Sequence, residues 1–129
     1  EMQRSLVGSE MCIRDRDSDL EYGNNENGQY IKYSNGVLIQ WGNVNKTITG
    51  WTKSNGEIYY SDNYGITLPI DFINDRYSAY VVNNSTSKLC WIYSTSTFSK
   101  KKFEFNLLSN ANNADYESNF DWFAIGRWK

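Results

Sequence analysis

Residues 30–42, YIKYSNGVLIQWG, constrain the fold of this chain more than any other stretch. Two runs rich in Tyr, Ile, Val and Trp flank Asn35-Gly36. That pair accepts the positive φ angles of a two-residue type I′ turn, so the stretch reads as a β-hairpin. The turn predicts a register in which Tyr33 faces Leu38, Lys32 faces Ile39, Ile31 faces Gln40 and Tyr30 faces Trp41. Val37, Ile39, Tyr30 and Trp41 then share one face, and Tyr33, Leu38 and Ile31 share the other. A hairpin with one wet face alternates apolar with polar residues. Apolar groups on both sides predict that both faces are covered, one by a second sheet and the other by a partner chain.

The segments that follow extend the same pattern. NVNKTITGW reads as a third strand, and residues 52–65 as a long loop or a small hairpin turning at Asn55-Gly56. ITLPI ends a strand near Pro69, because proline cannot donate to a central ladder. SAYVVN, LCWIYS and KFEFNL are further strands; in the last, Phe103, Phe105 and Leu107 alternate with Lys102, Glu104 and Asn106. NANNADYESN reads as a loop. FDWFAIGRW closes the chain as a strand with Phe120, Trp122, Ala124 and Gly126 on one side and Phe123 and Ile125 on the other. With 16% aromatic residues and one proline, the expected class is all-β, an antiparallel β-sandwich.

The N-terminus follows a different logic. LVGSEMCIRDR, residues 6–16, has no periodicity of either kind, but EMCIRDR reads back as GAG ATG TGT ATA AGA GAC AG. That sequence is similar to the transposon end of a sequencing-library adapter. Residues 1–16 are therefore set apart from the fold as a translated adapter, 17–27 as a polar connector, and 28–129 as the folded domain. With Cys12 set aside, Cys90 stands alone, so no intrachain disulfide is expected and Cys90 reads as a buried structural thiol.

Composition removes several chemistries. The chain has no histidine, which excludes Ser/His and Cys/His nucleophilic mechanisms. No metal-loop or phosphate-loop motif is present, so neither a metal nor a cofactor is expected. A net charge of −2 and a pI near 5.1 argue against a nucleic-acid surface. No apolar stretch reaches membrane-spanning length, so membrane insertion is not expected. Carboxylates such as Asp62, Asp71, Asp115 and Asp121 form a glycosidase pair only at a defined separation, and no motif singles out two of them. Trp51, Tyr59, Tyr60 and Tyr64, beside Asp62 and Asn63, offer planes and hydrogen-bonding groups that suit a sugar ring; the alternative is loop packing. Asp115 and Tyr116 form the next candidate surface.

The order NGQYIKYSNGVLIQWG, ITLPIDF, RYSAYVV, FEFNL and terminal WFAIGRW resembles the C-terminal domain of phage tail-fibre proteins, over about residues 27–129. The resemblance implies a homotrimeric, non-enzymatic tip, attached to an upstream fibre shaft. Its place would be the distal end of a virion tail fibre, phage or prophage, made in the host cytoplasm. It implies adhesion to a bacterial cell-surface polysaccharide or outer protein. Tyr30, Ile31, Tyr33, Leu38, Ile39, Trp41, Trp122, Ile125 and Trp128 would then build the core and the trimer contacts. Two other readings are the trimerising cap of a tail-spike depolymerase whose catalytic domain lies upstream, and a purely structural assembly domain. One outcome tests the adapter reading directly: deleting residues 1–16 should change unfolding free energy by less than about 0.5 kcal/mol in a urea titration.

Overall fold

The computed structural model describes residues 20–85 and 89–129; the adapter-like residues 1–16 lie outside the described residues. In chain order the strands are β1 (Leu20–Asn25), β2 (Gly28–Tyr33), β3 (Val37–Ile48), β4 (Thr52–Asn55), β5 (Ile58–Tyr60), β6 (Tyr64–Thr67), β7 (Ser78–Asn83), β8 (Cys90–Ser96), β9 (Lys102–Ser109) and β10 (Tyr116–Arg127). They form two antiparallel sheets. The first has the order β1-β2-β3-β10-β7. In the second, β9 is the hub: Phe105 lies opposite both Thr95 of β8 and Tyr64 of β6, and Leu108 opposite both Trp91 of β8 and Tyr60 of β5. Thus β8 runs along one edge of β9, while β6 and β5 share the other.

The sheets meet through the alternation legible in KFEFNL and FDWFAIG. Phe103, Phe105 and Leu107 of β9 point inward, against Phe120, Trp122 and Ala124 of β10, and all six are buried. The Phe105 and Phe120 rings meet edge to face at 4.9 Å, and Phe103 meets Trp122 at 6.1 Å. Each large aromatic removes roughly 150–250 Å² from water, so this double row dominates the core. Leu38 and Ile48 of β3 extend it, and Leu68, Phe72 and Tyr77 close one end.

The hairpin forms, but its register differs from expectation by one residue. Ile31 lies opposite Ile39, and Tyr30 opposite Gln40. The Gly36 N–H donates to the Tyr33 carbonyl at 3.0 Å, and Gly36 alone in the turn has positive φ, +103°. This is a three-residue connection, a turn followed by a glycine bulge, and not the two-residue type I′ turn. Distant residues fix it: the Arg127 guanidinium donates to the Asn35 carbonyl at 2.8 Å, and the Trp128 N–H to the Gly36 carbonyl at 2.9 Å. A one-residue slip exchanges faces. Tyr30 therefore joins Leu38 and Gln40 on the core side, while Ile31 and Tyr33 join Val37, Ile39 and Trp41 on the outer side.

Two further corrections concern boundaries. Residues 20–25, expected to belong to the polar connector, pair with β2 along their whole length, from Leu20 opposite Tyr33 to Asn25 opposite Gly28. An edge strand tolerates their polarity because one of its sides faces water. NVNKTI is not a separate third strand but the second half of β3, which runs unbroken beside β10. The small hairpin over residues 52–60 is present as β4 and β5.

Gln40 is fully buried, and its carboxamide grips one residue of the TLPI segment: Nε2 donates to the Ile70 carbonyl and Oε1 accepts from the Ile70 N–H, both at 3.0 Å. The clamp satisfies two backbone groups where β6 has ended and no ladder is available. Gln40→Ala should therefore cost about 3 kcal/mol, read as a lower urea midpoint with an unchanged m-value.

Candidate functional site

The aromatic set expected at residues 51–64 divides by strand parity and by local contacts. Tyr59 lies opposite the buried Ser109 and is half-buried; Tyr60 lies opposite Leu108 on the outer side and stays exposed. Trp51 packs half-buried against the core. The Tyr64 hydroxyl donates to the Thr49 carbonyl at 3.1 Å and accepts from the Thr49 N–H at 2.7 Å, while its ring leans on Phe105 at 5.8 Å. Trp51 and Tyr64 thus pack against the core and Tyr59 is half-buried on the inner side, which leaves Tyr60 as the exposed ring of the set. Asp62 is exposed but accepts from the Thr49 hydroxyl at 3.1 Å, and Asn63 is exposed beside it.

The second expected surface divides as well. Asp115 is exposed, but Tyr116 opens β10 opposite Ile48 and is half-buried, its hydroxyl 2.9 Å from the Cys90 sulfur. Burial, reinforced by that contact, raises the Tyr116 pKa above its ordinary value. Cys90 also takes a contact from the Asn83 amide at 3.6 Å, and serves as a half-buried structural thiol.

What the structure does bring together is a row that the sequence hid. Trp91, Leu108 and Tyr60 lie directly opposite one another across β8, β9 and β5, all on the outer face of the second sheet. Two strand spacings put Trp91 and Tyr60 about 10 Å apart. Tyr93 adds a third exposed ring at the bulge between Ile92 and Ser94. Next along β9 is Asn106, only 8% exposed, which accepts from the Ser94 hydroxyl. The signal for this row lay in LCWIYS, where Trp91 and Tyr93 alternate with Cys90 and Ile92, apolar on both sides.

The outer face of the first sheet has two halves. Tyr80, Phe123 and Trp41 form one cross-strand row, and Ile125, Ile39, Ile31 and Tyr22 the next. Tyr80 is 59% exposed and Tyr22 70%, with Phe123, Ile125 and Val82 also open to solvent. Of the scaffold residues named from the sequence, Leu38 and Trp122 belong to the core and Tyr30 and Trp128 pack against it. Ile31, Tyr33, Ile39, Trp41 and Ile125 look outward. Beyond Trp41 and Phe123 the same strands turn polar. Asn43 donates to Asp121 and to Asn119 at 2.7 Å, and Asn119 donates back to Asn43 and to Asn45 at 2.8 Å.

The family description "tail fiber protein gp53-like, C-terminal" matches residues 32–127. Among solved structures, the R1 pyocin fiber of P. aeruginosa (C-terminal residues 323–701) is similar at 16% identity and a TM-score of 0.55. The alignment covers 83% of this chain and 28% of that one. An N-truncated R1-type pyocin tail fiber gives the same identity and TM-score over 83% of this chain and 84% of its own. The R2 fiber of P. aeruginosa gives 17% and 0.50, over 84% and 26%. At these identities the likeness concerns the fold. No curated protein sequence matches the chain.

The amide ladder has a titration signature. Hydrogen bonding, chiefly from Asn43, lowers the Asp121 pKa below its ordinary 3.8. A depressed carboxyl contributes stability that is present above the ordinary value and lost as pH falls through the folded one. Carboxyl NMR titration should place Asp121 below 3.8, and Asn43→Ala should return it toward that value.

Proposed function

Because this chain belongs to the family of gp53-like tail-fibre C-terminal domains, we propose that it is the non-enzymatic, receptor-binding tip of a homotrimeric fibre. The observation that carries this reading is the apolar half of the first sheet's outer face. Tyr80 and Phe123 on one row and Ile125 and Ile39 on the next lie side by side on β7, β10 and β3, with Val82 exposed further along β7 opposite Asp121, an apolar patch of the kind that marks an interaction surface. A second and third copy of the chain are the occupants that suit a fibre, and an upstream shaft would hold the three copies in register. The tip then sits at the distal end of the virion fibre.

Recognition falls to surfaces outside that contact. The Trp91–Leu108–Tyr60 row keeps the exposed ring of the expected site and adds the rings of β8, with the exposed Asp62 and Asn63 following Tyr60 in the chain. Its target is a bacterial cell-surface polysaccharide or outer protein. Shallow contacts of this kind bind weakly one at a time, and three copies facing a repetitive surface multiply avidity by roughly 10²–10⁴.

Sedimentation equilibrium should give a trimer at micromolar concentration, and Phe123→Lys with Ile125→Lys should shift it to monomer while the circular dichroism of the sheets persists. A stable wild-type monomer would contradict the proposal. Tyr60→Ser with Trp91→Ser should leave the trimer and its Tm intact and remove adsorption to cells that the wild type binds.

A further inference from the structure

We infer that the end of the first sheet around Trp41 is a second, separate binding site, built for an oligosaccharide of at least two units that carries no negative charge. It deepens the tip reading, on which it rests for the source of the glycan. Two cavities adjoin there. The larger, about 410 Å³, lies between the β1–β2 turn and Asn43 and Asp121; the smaller, about 210 Å³, lies beside Tyr22. Both are lined by Asn24, Gln29 and Trp41, which stand opposite one another across β1, β2 and β3. One cross-strand row therefore forms the step between two compartments, and the pair is shaped for consecutive units of a chain more than for one compact molecule.

The lining sets the chemistry. The larger cavity has one aromatic wall, Trp41, and the smaller adds Tyr22, so each offers a plane on which a sugar ring can stack. The side-chain amides of Asn24, Asn27 and Gln29 bond to no other described residue and remain open to ligand hydroxyls. Asn25, by contrast, is engaged: its Nδ2 donates to the Pro69 carbonyl at 2.8 Å and its Oδ1 accepts from the Asn27 N–H at 2.9 Å. That anchors the turn wall before any ligand arrives. The backbone of Gly28 and Gly42 lies bare in the larger cavity. A Cβ at Gly42 would collide with the Trp122 indole, and one at Gly28 with the Trp41 carbonyl. The charged groups of the lining are Glu26 and Asp121, both acidic, the latter held ionised by its amide neighbours. Two carboxylates accept hydroxyl hydrogen bonds and repel uronates, sialic acids and phosphosugars.

The test is an array of immobilised neutral and anionic oligosaccharides, one to six units long, probed with the assembled protein and with Asn24→Ala plus Gln29→Ala. Binding of the wild type to a neutral oligosaccharide of two or more units, about tenfold or more weaker in the double variant, is expected. No retention by any neutral member, a preference for anionic ones, or equal binding by the variant would overturn the inference. Tyr60→Ser with Trp91→Ser should keep the array binding. Cell adsorption of the wild type is measured alongside: its absence overturns the tip reading and leaves the array result to judge the cavity.

Discussion

Strand β10 has a covered side and an open side, and most of the molecule follows from that division. Inward, Phe120, Trp122 and Ala124 close against Phe103, Phe105 and Leu107 of β9. Outward, Phe123 and Ile125 meet no second layer among the described residues. Its neighbours β3 and β7 repeat the pattern, with Leu38 and Ala79 inside and Ile39, Tyr80 and Val82 outside. The first sheet is in this sense the inner half of a larger structure, with a finished core on one side and an unfinished one on the other. In the proposed homotrimer, three copies of the chain would cover that side and leave the second sheet's outer face, together with the β1–β2 end, as the surfaces presented to the surroundings.

Arg127 and Trp128, just beyond the core of β10, also lock the architecture locally. They hold the turn at Asn35-Gly36, and the Trp128 indole N–H donates to the Tyr33 carbonyl at 2.8 Å, with the Lys32 ammonium over its ring at 4.3 Å. Gln40, one strand inward, holds Ile70. A sheet strand thus supports the loop that caps the sandwich, and the terminal residues support the hairpin that opens it.

Sequence periodicity carried the all-β class, the alternation of β9 and β10 and the stop at Pro69, because each rests on local pattern. The register of the hairpin did not, because Asn-Gly serves both a type I′ turn and a turn with a glycine bulge. The contacts that select the latter come from Arg127, 92 residues away. β1 escaped notice because LEYGNN is too polar to read as a strand, although its partner is strongly apolar. In the candidate site, Tyr59 and Tyr60 look alike in sequence, and only pairing with β9 sends one inward and the other out. Trp41 reads as scaffold and Trp91 only as part of the strand LCWIYS; their place beside exposed rings and open amides depends on cross-strand neighbours that no single segment reveals.

Hydroxyl-radical footprinting of the assembled fibre, read by mass spectrometry at single residues, tests the division of surfaces most directly. The account predicts that Tyr80 and Phe123 are protected while Tyr60 and Trp91 react freely, since the first pair lies between chains and the second faces outward. Free reaction at Tyr80 and Phe123 with protection at Tyr60 and Trp91 would contradict it, placing the chain contact on the second sheet and the exposed surface on the first.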